Sequence, residues 1–209
     1  MKLHAPCTFA AVALLAWFAA PAAQSATITI EPDDYSHMQT LNNVSPFVTL
    51  STGAPPTNAP TFDVGAYTVT EGASTGTKVF SHALGIPFWN TSRTLRMDFH
   101  VPVTNVSLDY IPSGFFDENY AGRLEAYSAS GTLLASYTTA LLDKGTFETM
   151  TVSVPQIAYA LAYPPTDPFG SLDHLQFNVI PEPTAFGLAL VALAAPLAVG
   201  RRGHSPKQA

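Results

Sequence analysis

Apolar and polar residues alternate along much of this chain. From Thr94 to Val101, Leu95, Met97, Phe99 and Val101 fall on one side, and Thr94, Arg96, Asp98 and His100 on the other. The same rhythm runs through Val106, Leu108 and Tyr110, through Met150, Val152 and Val154, and through Leu175, Phe177 and Val179. A period of two is that of a strand with one buried face. Further strands are predicted at Thr27–Glu31, Phe47–Leu50, Ala66–Thr70, Lys78–His82, Leu124–Ser128, Leu133–Thr138 and Ile157–Tyr163. Turn residues separate them at Ser130-Gly131, Lys144-Gly145 and Pro164 to Pro168. Ser51–Thr61, with its three prolines, reads as a surface loop. Between the two ends no stretch keeps a helical stripe. Short strands with one apolar face must pack that face against another layer. The expected body is therefore all-β, a two-sheet jelly-roll-like β-sandwich.

The two ends break the pattern. At the start, Lys2 precedes an apolar stretch, Phe9 to Ala20, and small residues follow Pro21. That order matches a signal peptide, with small-x-small processing points after Ala22 and after Ser25. At the far end Pro181-Glu182-Pro183 precedes an unbroken apolar run, Ala185 to Gly200, and then Arg201-Arg202. As a helix the run is about 24 Å long, against a hydrocarbon core of about 30 Å. Arginines at its end extend the reach by snorkelling, and they favour the cytoplasmic side. The expected division is 1–25 signal peptide, 26–179 β-sandwich, and 180–209 a terminal segment holding a single transmembrane helix.

Pro181, Glu182 and Pro183, the apolar run, and Arg201 and Arg202 together resemble the PEP-CTERM sorting signal of Gram-negative bacteria. The tail Gly203–Ala209 is longer than is usual after the basic pair. The resemblance implies export, transient residence in the inner membrane, and recognition by an exosortase, a membrane-embedded cysteine-type transpeptidase. It further implies release to the cell surface or the exterior, in a setting of exopolysaccharide and biofilm. A looser resemblance, from Thr94 to Val179, is to galactose-binding-like β-sandwich domains. A Leu-x-Ala-Tyr strand (Leu124 to Tyr127), a glycine turn and a closing Asp-x-Leu-x-Phe strand (Asp173 to Phe177) carry it. It implies a ligand role without assigning binding residues.

Charge narrows the partners. The whole chain carries a formal −6. Between Thr27 and Ile180 there are 5 basic residues against 14 acidic ones, a net of −9. Nucleic acid is excluded as a partner on that balance, because phosphate binding rests on Lys and Arg. The single cysteine, Cys7, lies ahead of the apolar stretch and cannot form an internal disulfide.

No set of residues names a reaction, and the expectation is a protein without catalytic activity. Gly72-Ala73-Ser74-Thr75-Gly76 has the letters of a nucleophile elbow, but a strand follows it where the elbow needs a helix. It reads as a hairpin loop. His37, His82, His100 and His174 form no zinc-binding pair, and His100 reads as part of a solvated strand face with Arg96 and Asp98. Asp117 and Glu118, on a loop, are weak candidates for calcium, as are Asp33-Asp34 and Asp167. No other cofactor is expected. Phe88 and Trp89 are the candidate ligand platform: on a strand only one would face inward, and the other would offer a flat face to a sugar. The competing reading places both in the core. Together these point to an exported surface or matrix protein with a structural or exopolysaccharide-associated role. The alternative is a carbohydrate-binding module, and a secreted hydrolase ranks last.

Overall fold

The structure is a computed structural model, and it describes residues 25–54, 59–82, 85–112, 120–165 and 170–180. The predicted signal peptide up to residue 24, the predicted transmembrane helix, Pro181-Glu182-Pro183, Arg201, Arg202 and the calcium candidates Asp117, Glu118 and Asp167 lie outside the described residues. Ten strands run in chain order: β1 Ala26–Ile30, β2 Val48–Ala54, β3 Ala59–Phe62, β4 Val64–Thr68, β5 Lys78–His82, β6 Thr94–Pro112, β7 Arg123–Tyr127, β8 Leu133–Thr138, β9 Glu148–Tyr163 and β10 Gly170–Val179. A single 3-10 turn, Pro32–Asp34, is the only helical element among the described residues. No helix among them is long and apolar enough to cross a membrane.

The all-β expectation holds, and every strand pairing is antiparallel. The hydrogen-bond network is continuous, in the order β4-β5-β10-β6-β9-β7-β8, with β1 on β10, β2 on β6 and β3 on β2. Two long strands cause this continuity. The first part of β6 pairs with β2 and with the second part of β9 (Leu95 opposite Ala162). The second part of β6 pairs with β10 and with the first part of β9 (Leu108 opposite Met150).

Alternation alone predicts each long strand as two short ones. The ladder does break where those predicted strands end, between Asp98 and Asn105 of β6. Pro102 lies in that interval and Pro155 in the facing stretch of β9, and neither has an N–H for the ladder. Gln156 beside it has φ 64°, a left-handed kink. The irregularity bends the strands without ending them, as a bulge does. It also resets the phase. Leu95 and Met97 are buried before the irregularity, Val103 within it, and Val106, Leu108 and Tyr110 after it, so the apolar side stays on the core.

The core is one cluster that draws Leu50 from β2, Phe80 from β5, Leu124 from β7 and Phe177 from β10. Each such side chain contributes about 1.5–3 kcal/mol by leaving water. Tyr110 is fully buried between two glycines. A Cβ on Gly170 would sit 2.1 Å from its Cε2, and one on Gly122 would sit 2.2 Å from its Cγ. Ser51–Thr61 departs from its prediction as a loop. Its ends belong to the β2–β3 hairpin, with Thr52 opposite Phe62, and residues 55–58 between the two strands lie outside the described residues.

Candidate functional site

Two polar clusters stand out. The first lies where the loop between β4 and β5 meets β10. Asp173 is fully buried. Its Oδ2 accepts from the Ser74 backbone N–H at 3.0 Å, the Ser74 hydroxyl at 3.0 Å and the Thr75 N–H at 3.2 Å. Its Oδ1 accepts from the His174 N–H at 2.9 Å. The Thr75 hydroxyl donates to Glu31 Oε1 at 2.9 Å. His174 Nδ1 donates to Glu31 Oε2 at 2.7 Å, and its Nε2 meets the Gln176 amide at 2.9 Å. Asp33 holds the far side of the loop through the Thr77 N–H at 2.9 Å and the Lys78 ammonium at 3.7 Å. Burial, with the nearby Glu31 charge in support, pushes Asp173 up to about 6, although the hydrogen bonds from Thr75, Ser74 and His174 oppose that.

A strand irregularity makes this arrangement. His174 has φ 49°, and β10 shifts register against β6 between Asp173 and Gln176. The shift turns Asp173 inward next to Leu172 and still returns Leu175 to the core. Chemically the cluster is an anchor. It contains a serine, a histidine and two carboxylates, yet the serine hydroxyl donates to Asp173 and the imidazole lies between Glu31 and Gln176. Nucleophilic activation needs the hydroxyl on the imidazole. The 72–76 loop also joins two strands, as the sequence predicts.

The second cluster is on the opposite side of the strands from the core. Along β6, β7 and β9 the residues alternating with Leu95, Leu124 and Ala160 face outward. They form a groove of about 620 Å3, lined by Thr91, Thr94, Arg123, Glu125, Tyr127, Leu161, Tyr163 and Pro165. Glu125 is its hub. Its Oε1 accepts from Arg123 Nε at 2.6 Å and its Oε2 from the Tyr127 hydroxyl at 2.6 Å. The Arg123 guanidinium also reaches Thr138 and Ser136 of β8, at 3.0 and 3.3 Å. Tyr127 stacks on Tyr159 with centroids 4.7 Å apart and planes within 5°. Arg96 lies over the Tyr159 ring at 4.1 Å and grips Asp98 through two bonds of 2.8 and 2.6 Å. Burial, and after it Glu125, raises the pKa of both Tyr127 and Tyr163, which keeps these phenols protonated. Thr94, on the groove wall, is 2% exposed, and its buried hydroxyl has no hydrogen-bond partner.

The sequence-predicted residues are dispersed. Trp89 is not a platform. It is wholly buried, its indole N–H donates to the Phe80 carbonyl at 3.0 Å, and the His82 ring meets it edge-on at 5.5 Å. The physical reason is the pairing of Trp89 with Gly170, which draws this residue into the core beneath β10. Phe88 is half-buried and lines a separate depression of about 530 Å3 with Tyr67, Ile86 and Pro87. His82 Nε2 donates to the Phe88 carbonyl at 3.1 Å, and burial lowers the pKa of that imidazole. His100 contacts the Pro46 carbonyl and the Thr49 hydroxyl, and His37 accepts from the Thr68 N–H. Among the described residues no three His, Cys, Asp or Glu side chains converge to hold a metal ion.

No family model matches this chain, and no curated protein does. Solved structures do show likeness. The K2 cleaved adhesin domain of Lys-gingipain is 15% identical with a TM-score of 0.45, over 74% of this chain and 100% of that one. The K1 cleaved adhesin domain of the same protein, from Porphyromonas gingivalis W83, is 13% identical with a TM-score of 0.33, over 73% and 97%. The enzymatically active domain of tailspike protein 4 from bacteriophage CBA120 is 12% identical with a TM-score of 0.34, over 66% and 20%.

Proposed function

We propose that this protein is exported, sorted to the cell surface through its carboxyl-terminal segment, and held there as a non-catalytic β domain associated with exopolysaccharide. The observation that carries the address is sequential: Pro181-Glu182-Pro183, an apolar run and Arg201-Arg202, opposite a signal-peptide-like start. The run acts as a temporary stop in the bilayer, with its arginines on the cytoplasmic side. An exosortase and the export machinery are the partners on this reading, and the final location is the surface or exterior of a Gram-negative cell. The two halves of the bent sheet then serve as the two layers of a jelly-roll-like sandwich. No metal or cofactor is required by this role.

The purely structural form of the reading and the carbohydrate-binding form differ in whether the body has an open site. The outward groove of Arg123, Glu125, Tyr127 and Tyr163 favours the binding form. The sorting half is tested in cells by replacing Arg201 and Arg202 with glutamine. The unaltered protein is expected as a species shortened at both ends, in the surface or external fraction. The double variant is expected as a longer species held in the membrane. The same mass and the same fraction for both would contradict the sorting reading.

A further inference from the structure

The groove carries more than its existence. Its charges cancel locally: Arg123 is paired with Glu125, and next to it Arg96 is paired with Asp98. Arg96 stands opposite Leu161, which forms part of the groove wall. No unbalanced guanidinium is left for a carboxylate or sulfate ligand, and the surrounding domain is acidic. A polyanion would gain nothing here and would meet long-range repulsion.

The wall is otherwise mixed on a fine scale. Tyr127 and Tyr163 supply ring surface, and Leu161 and Pro165 supply apolar surface. Glu125 is an acceptor, Arg123 is a donor, the Tyr127 oxygen, its proton given to Glu125, is an acceptor, and Thr94 can act as either. The Thr94 hydroxyl is the decisive atom. It is buried on a residue of the groove wall and has no hydrogen-bond partner, and a buried hydroxyl left unpaired is costly. A ligand suited to this wall has hydroxyls that both donate and accept, alternating with C–H faces that lie against rings. It carries no net charge.

We propose that this groove is a binding site for an uncharged saccharide, with its ring face against Tyr127 and Tyr163 and its hydroxyls bonded to Thr94, Arg123 and Glu125. The inference rests on the exopolysaccharide-associated reading above and narrows it to a site and a sugar class. The volume falls within the range of small-molecule sites, about 300–1,000 Å3. One or two sugar units are expected to make the contacts, with the rest of a polymer leaving through the open side.

The test uses the full chain, solubilised in a zwitterionic detergent that contains no sugar. It is titrated with neutral oligosaccharides of glucose, mannose and galactose and with oligogalacturonate, each at low and high salt. Binding to at least one neutral sugar is expected, unchanged by salt. Tyr163→Ala is expected to weaken it by about tenfold or more, the loss of one good ring contact. Glu125→Gln frees a positive charge in the groove, and its expected signature is a new, salt-sensitive affinity for oligogalacturonate. Should that variant fail to fold, Tyr163→Ala still decides the site.

The outcomes separate cleanly. Binding of oligogalacturonate alone by the unaltered chain, or an affinity that falls with salt, overturns the neutral-sugar proposal and leaves a carbohydrate role standing. Neutral binding that Tyr163→Ala leaves intact overturns the site. No binding to any of these sugars overturns the proposal together with the carbohydrate reading.

Discussion

Asp173 and Thr94 are both buried polar residues, and they sit in opposite circumstances. Asp173 accepts from Ser74, Thr75 and His174, so a whole loop is folded around one carboxylate. Thr94 lies as deep, on the wall of an open groove, and its hydroxyl has no partner. Both regions hold carboxylates, hydroxyls and a base or guanidinium, and residue type does not distinguish them. What distinguishes them is closure. Around Asp173 the polar atoms satisfy one another and fasten β1, β10 and the 69–77 loop. In the groove the charged pairs are satisfied while the Thr94 hydroxyl is left without a partner and ring surfaces line the wall. A closed network stabilises and an open one recognises.

The largest expected effect breaks the closed side. Asp173 has its pKa raised from 3.8 to about 6, so its contribution to stability is fully present below about pH 4 and is lost as the pH rises through 6. That is up to roughly 3 kcal/mol at about 1.4 kcal/mol per pKa unit. Asp173→Asn cannot ionise, and the urea midpoint of the variant relative to the unaltered protein is expected to rise between pH 4 and 7. An unchanging difference would mean that Asp173 does not titrate in that window. His82 contributes in the opposite sense: its lowered pKa gives stability above 6.5 that is lost on acidification. The comparison between variant and parent removes it, because His82 is common to both.

Next comes Gly170→Ala. The added methyl would drive into the Tyr110 ring, which is buried on all sides, and a loss of about 1–3 kcal/mol is expected in thermal or urea unfolding. This probes the core shared by both regions. A smaller effect is expected from Tyr159→Leu, which removes the stack with Tyr127 and the Arg96 contact, at about 1 kcal/mol beyond lost area. The smallest is Arg123→Gln on the open side. Its ion pair is partly solvent-exposed, so a change in stability of no more than about 1 kcal/mol is expected. A large loss there would make the groove a structural device like the clamp.

Much of the fold was legible in the chain, because alternation tracks burial directly. Lys78–His82 and Leu133–Thr138 are predicted with the bounds the structure has. The misjudged places are those where local and tertiary signals differ. Alternation reads β6 and β9 as two strands each, yet pairing on both sides carries them through Pro102 and Pro155. Trp89 reads as a possible platform because adjacent aromatics on a strand face opposite ways, but the bridge to Gly170 fixes it inside.

The groove was harder to see. It needs β6, β9 and β7 side by side, and strand order is a non-local property. A signal was nevertheless present: Arg96-Met97-Asp98 and Arg123-Leu124-Glu125 repeat a basic-apolar-acidic triplet, which on a strand puts each charge pair on one face. Only the first of these faces is recognisable as a polar strand face without the fold. The Asp173 clamp was illegible for another reason. Alternation cannot foresee a bulge, and the bulge at His174 is what turns the carboxylate inward.

The contrast between a closed anchor and an open site is tested most directly by one paired measurement on the full chain: the affinity for neutral oligosaccharides and the unfolding midpoint, for Ser74→Ala and for Tyr163→Ala. Ser74→Ala is expected to lower the unfolding free energy by about 1.5–3 kcal/mol, the worth of a hydrogen bond to a charged group, with a matching fall in midpoint, and to leave sugar affinity where it was. Tyr163→Ala is expected to abolish most of the affinity with the smaller change in midpoint. Sugar affinity lost in Ser74→Ala and kept in Tyr163→Ala would contradict the assignment of the two regions.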